Sequence, residues 1–151
     1  MNEVIDTAPV RSALSDFGES MAATLDTLLP SSDDVEGRLF DAMRYSALAG
    51  GKFIRPYIVA TSARMFDVPD SRSFRAGAAV EMVHAYSLIH DDLPAMDDDD
   101  MRRGRPSCHK AFGEATGATG SAVTSAEAAA TIHLTEAANF AAALEKAERD
   151  N

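Results

Sequence analysis

Apolar residues recur along most of this chain at three- and four-residue intervals, the spacing of helices that bury one face. Val10, Leu14, Phe17, Met21, Leu25 and Leu28 mark a first helix, which Pro30 closes. Asp33 or Asp34 can cap a second, with Val35, Leu39, Met43 and Ala47 as its apolar face and Gly50-Gly51 as its end. A third begins near Ile54, carries Pro56 in its first turn and runs to about Phe66. The fourth spans about Ser73 to Asp92, with Phe74, Ala78, Met82, Ala85 and Ile89 as its buried stripe. Ser71 or Ser73 is its expected N-cap, and Pro94 stops it. No stretch alternates as a strand does, so the pattern predicts an all-α fold.

The fourth helix leads into the densest chemistry in the chain. Six aspartates (Asp91, Asp92, Asp97, Asp98, Asp99, Asp100) fall within ten residues, and Arg102, Arg103 and Arg105 follow at once. An acidic run is commonly a solvated, self-repelling loop. An EF-hand fails here, because a loop starting at Asp97 has Arg102 where glycine is required and Cys108 where glutamate is required. Asp91 and Asp92 instead close a helix, where its dipole disfavours carboxylates by several tenths of a kcal/mol (about 0.3–1 each). A bound dication reverses that sign. Mg²⁺ takes oxygen ligands and bridges one or two carboxylates to substrate phosphates, and guanidinium forks suit the phosphate oxygens themselves. His84 lies two helical turns before Asp91, ~10 Å away on nearly the same face, although a lone helical histidine is more often an ordinary packed or surface residue.

A second constellation is Gly50-Gly51-Lys52-Phe53-Ile54-Arg55-Pro56. It reads either as a plain helix–helix turn or as an anion site, with glycines allowing close backbone approach and Lys52 and Arg55 beside a helix N-terminus. The full phosphate-loop pattern is absent.

Composition narrows the class. The 151 residues carry a net charge of −10, which argues against nucleic acid and anionic membranes as partners. One cysteine, Cys108, excludes an internal disulfide and suits a reducing compartment. The N-terminus lacks the look of a signal peptide, and no run is apolar enough for membrane insertion, so a cytoplasmic location is expected.

Taken in order, these segments resemble the trans-prenyltransferase (polyprenyl synthetase) family, specifically the N-terminal half of bacterial farnesyl and geranylgeranyl diphosphate synthases. The matching text begins at Arg44-Tyr45-Ser46-Ala47-Leu48-Ala49-Gly50-Gly51-Lys52 and Arg55-Pro56. It continues from Ala79 through His84, Tyr86 and His90-Asp91-Asp92-Leu93-Pro94-Ala95-Met96-Asp97 to Met101-Arg102-Arg103-Gly104-Arg105-Pro106 and Phe112-Gly113-Glu114-Ala115. The resemblance implies an isoprenoid-synthase-type helical bundle and a Mg²⁺-dependent condensation of an allylic diphosphate with isopentenyl diphosphate. It assigns isopentenyl diphosphate to Lys52, Arg55, His84 and Arg103, and the allylic diphosphate to Arg102. It gives Mg²⁺ to Asp91 and Asp97 with Asp92 in support, and makes Tyr86 a floor that limits chain length. Asp91, Asp97 and Arg102 thereby become the expected catalytic set.

The resemblance covers about residues 38–117. Residues 118–151 read as a divergent, Ala-rich tail, helical or partly disordered, with Val123, Ile132, Leu134, Phe140 and Leu144 as its large apolar residues. Nothing after Asp100 repeats the paired aspartates that the family carries later. The expectation is therefore a partial synthase domain over 1–117 that needs self-association, a partner chain or a compact repacking to bury its front helices, or else a non-catalytic diphosphate-binding or regulatory subunit or a truncated fragment of such a synthase.

Overall fold

The computed structural model describes the backbone of residues 7–34 and 36–149, and the side chains of residues 7–34, 36–133 and 135. Six helices make up most of it: α1 (Ala8–Leu28), α2 (Gly37–Ala47), α3 (Ile54–Arg64), α4 (Asp70–Asp91), α5 (Cys108–Phe112) and α6 (Glu114–Arg149). Between α4 and α5 lies a hairpin of β1 (Met101–Arg102) and β2 (Arg105–Pro106), with Met101 opposite Pro106 and Arg102 opposite Arg105. The hairpin corrects the strand-free reading, because two residues per strand are too few to show alternation.

The core gathers the apolar stripes: Phe17, Met21, Leu25 and Leu29 from α1 and its end, Met43 and Ala47 from α2, Ala60 from α3, and Ala78, Met82 and Ala85 from α4. Phe17 makes edge-on contact with Tyr57 at 5.3 Å between ring centres. Arg44 ties α2 to the end of α1 by an ion pair with Asp26 and by donating to the Leu29 carbonyl at 3.0 Å. Neither Asp33 nor Asp34 caps α2, which starts after Glu36, and Val35 lies outside the described residues. The fourth helix begins earlier than expected, after Pro69. Ser73 is inside it, donating to the Asp70 carbonyl at 3.2 Å instead of capping.

Helix α6 packs more extensively on α4 than on any other element. The face it buries is small: Gly117, Gly120, Ser121, Thr124, Ala128 and Thr131 recur at helical spacing. Small side chains let two helix backbones approach closely, so this helix needs few large apolar residues. Leu134, Phe140 and Leu144 lie outside the described side chains, and Ile132 is exposed. Gly117 is the tightest point, where an added Cβ would come within 3.1 Å of His109 Cα. Gly117→Val is expected to push α5 off α6 and cost about 1–3 kcal/mol, read as a lower midpoint in urea unfolding.

Candidate functional site

The turn between α2 and α3 builds one wall of the site. Gly50 adopts φ +77°, and Phe53, the residue before α3, takes the left-handed conformation at φ 45°. Such a conformation is costly for a bulky residue. It is held by burial, with the Phe53 ring against Gly18, where an added Cβ would meet it at 3.4 Å. The α3 N-terminus and its free N–H groups thereby open onto a cavity of about 500 Å³ lined by Gly50, Gly51, Lys52, Arg55, His84 and Arg103, among others. The four residues expected to hold isopentenyl diphosphate therefore converge. None of the salt bridges among the described residues involves Lys52 or Arg55.

Arg103 reaches this cavity from the hairpin, across a φ of 53°, and donates from Nη1 to the Gly50 carbonyl. Gly51 makes room for it, since a Cβ there would stand 3.2 Å from Arg103 Nη1. The glycine pair thus seats an arginine, a use that the sequence alone does not reveal.

Burial, followed by the positive charges of Arg55, Arg103 and Arg102, lowers the His84 pKa below its ordinary value. The free imidazole is neutral at neutral pH. Acid therefore costs stability: the unfolded chain takes up the proton from about pH 6.5 downward, and the penalty grows until pH falls through the lower folded-state value. A diphosphate held there would offset the surrounding cations and raise that value, so its binding would take up a proton. Affinity for inorganic pyrophosphate is expected to strengthen between pH 8 and about 6 more steeply than in His84→Gln, in which only the ligand's own titration remains.

Glu81 is a site residue that motif reasoning missed. It is 5% exposed and lines both this cavity and a smaller one of about 30 Å³ beneath the hairpin. Its burial raises its pKa, against the pull of Arg103 and Arg55. The available signal was its position, three residues after Ala78 and four before Ala85 on an otherwise apolar stripe.

The acidic segment folds back on the end of α4. Met96 and Asp98 N–H groups donate to the Leu93 carbonyl at 2.8 and 3.1 Å, and the Asp97 N–H donates to the Asp91 carbonyl at 2.9 Å. That last bond brings the backbones of Asp91 and Asp97 together, with Asp91 half-buried and Asp97 exposed. Asp92 points inward, with its side chain 3% exposed, and is paired with Arg102, whose Nε donates to it at 3.1 Å. Arg102 also reaches Asp99 at 3.2 Å. An arginine expected on substrate and an aspartate expected near metal are thus each other's partners. Tyr86 is half-buried, its ring 5.9 Å from that of His90, and it lines neither cavity.

Among the described residues, Asp98, Asp100 and His109 bring their ligand atoms within 4.8 Å of one another. Cys108 is buried beside Ala42, and burial pushes its thiol pKa up, away from reactivity. No helix among the described residues is long and apolar enough to cross a membrane.

Comparison with known proteins agrees with this architecture. Farnesyl diphosphate synthase of Escherichia coli (strain K12) is 59% identical over 75 residues, covering 50% of this chain and 25% of that protein. A solved FPP/GFPP synthase from Zymomonas mobilis superimposes with TM-score 0.79 at 36% identity, over 83% of this chain and 45% of the other. A geranyltransferase from Legionella pneumophila gives 0.76 at 38% identity, over 82% and 43%. The chain thus spans less than half the length of these relatives. The polyprenyl synthetase family model matches residues 36–148, running past Gly117 and along α6. The chain belongs to the polyprenyl synthetase family.

Proposed function

We propose that this chain binds the two substrates of prenyl-chain elongation, isopentenyl diphosphate in the Lys52–Arg55–His84–Arg103 cavity and an allylic diphosphate at the Asp91–Asp97 edge. The observation that carries the reading is the convergence of four cationic or hydrogen-bonding side chains and a helix N-terminus on one cavity. A few kinds of group recognise a diphosphate well, and these are among them.

Asp91 and Asp97 suit Mg²⁺: they are oxygen donors whose backbones are joined, and this ion takes one or two carboxylates alongside phosphate oxygens. Mg²⁺ held there would neutralise the charge that develops as diphosphate departs. Arg102, fixed by Asp92 and Asp99, adds positive charge at the same edge without needing to reorganise. In the reaction, the allylic C–O bond breaks and diphosphate leaves with its electron pair. The isopentenyl double bond then attacks the cation, and a proton is lost. Tyr86 is proposed as a floor for the growing chain, residues 1–117 as the substrate-binding unit, and a reducing cytoplasm as the setting.

A second reading is a diphosphate-binding or regulatory subunit that elongates only with a partner or a second copy. Incubation with Mg²⁺, isopentenyl diphosphate and geranyl diphosphate, followed by chromatography of the prenyl products, separates the two. A C₁₅ or longer diphosphate supports turnover. Binding without product supports the subunit reading, and neither binding nor product contradicts both.

A further inference from the structure

The chain holds a second cluster of metal-ligating groups that the diphosphate chemistry leaves unused. Asp98 and Asp100 flank the turn that enters the hairpin, and His109 belongs to α5. The His109 side chain is 3% exposed, yet its Nε2 has no hydrogen-bond partner. A buried, unpartnered ring nitrogen is costly. Nε2 is directed at the aspartate pair: Asp98 Oδ1 lies 3.8 Å away, beyond hydrogen-bond range. The ring's other nitrogen is already engaged, since Nδ1 lies 3.1 Å from Ser107 Oγ. An imidazole fixed through one nitrogen and bare at the other is the arrangement found in metal-bound histidines.

The surroundings fit the same reading. The Ser107 N–H donates to the Asp100 carbonyl at 2.9 Å, so the two ends of the hairpin are clamped beside the cluster. Asp98 holds φ 51°, in the left-handed region, which sets the direction of its carboxylate. Lys110 Nζ sits 2.7 Å from Asp100 and 3.8 Å from Asp98. It partly neutralises the carboxylates, but no hydrogen bond from its ammonium reaches the His109 Nε2 lone pair.

We propose that Asp98, Asp100 and His109 form a binding site for a borderline transition-metal dication of the Zn²⁺ class, separate from the Asp91–Asp97 edge. Three ligand atoms within 4.8 Å of one another close on one ion with modest movement, leaving outer positions to water. One imidazole nitrogen with two carboxylates favours Zn²⁺ over Mg²⁺, which takes oxygen. Such an ion would pin the segment that carries Asp97 at one end and Arg102 at the other, and Lys110 would swing out as it enters.

The test is titration of the full chain with Zn²⁺ in excess Mg²⁺, followed by calorimetry and by ¹⁵N NMR of the histidine rings. One Zn²⁺ per chain is expected, moving the Nε2 signal of one of the four histidines. Asp98→Asn or Asp100→Asn, both at exposed positions, should weaken binding by at least about 10-fold. Lys110→Gln should tighten it, and Asp91→Asn with Asp97→Asn should leave it in place. His109→Gln should abolish the Nε2 shift, and the two aspartate variants carry the test if that buried substitution fails to fold. Absence of Zn²⁺ binding overturns the proposal. So does binding that survives both aspartate changes, or an Nε2 shift in a histidine other than His109.

Discussion

Replacing Asp91 and Asp97 together by asparagine is expected to weaken Mg²⁺-dependent binding of geranyl diphosphate by at least about 100-fold, or ~2.7 kcal/mol, while leaving the folded chain intact or slightly more stable. Both residues offer hard oxygen ligands at the end of α4, and neither is buried in the core. Asn keeps the shape but not the charge, and a neutral amide is a weak partner for a strongly hydrated dication. Asp91 also sits in the last turn of α4, where the helix dipole disfavours negative charge. Neutralising it should therefore raise the unfolding midpoint in metal-free buffer, by a few tenths of a kcal/mol (about 0.3–1). A residue placed there for packing would show the opposite pairing, with stability lost and affinity unchanged. Calorimetric titration with and without Mg²⁺, beside urea unfolding, reads both quantities.

Arg102→Ala is expected to destabilise the fold by about 3–5 kcal/mol. The Asp92 carboxylate is 3% exposed and depends on this guanidinium. Removing the arginine strands a buried charge, which costs more than the pair is worth when intact. The reverse change, Asp92→Asn, should cost less, because the Arg102 side chain is 35% exposed and can turn to water or to Asp99. Equal losses in urea unfolding of the two variants would contradict this asymmetry. The pairing also implies that Arg102→Ala lowers allylic diphosphate binding in two ways, by removing a cation and by loosening the segment that carries Asp97.

The four long helices with apolar faces were legible because large residues at helical spacing report directly which side is buried, as Phe17, Met21 and Leu25 do in α1. Helix α6 was legible only as propensity. Its buried side is written in Gly, Ser, Thr and Ala, and small residues carry no signal in a count of large apolar ones, although they permit the close approach to α4. The helix starts were misplaced at α2 and α4, where Glu36 and Pro69 precede the first turn and no side chain caps it.

For the site, the motifs gave the residues and the fold gave their partners. Lys52, Arg55, His84 and Arg103 come from three segments, and a single chain pattern cannot say that they meet. That Asp92 and Arg102 neutralise each other follows from the hairpin, which turns Arg102 back over the end of α4. The orphaned nitrogen of His109 depends on the burial of α5 against Gly117, a contact between residues eight apart that no spacing rule marks.

Metal-free titration of the chain with isopentenyl diphosphate tests the central claim most directly. One site per chain is predicted. Lys52→Gln with Arg55→Gln should weaken it by at least about 10-fold, and Asp91→Asn with Asp97→Asn should not weaken it. Absence of binding, or binding indifferent to the loss of Lys52 and Arg55, would contradict the account.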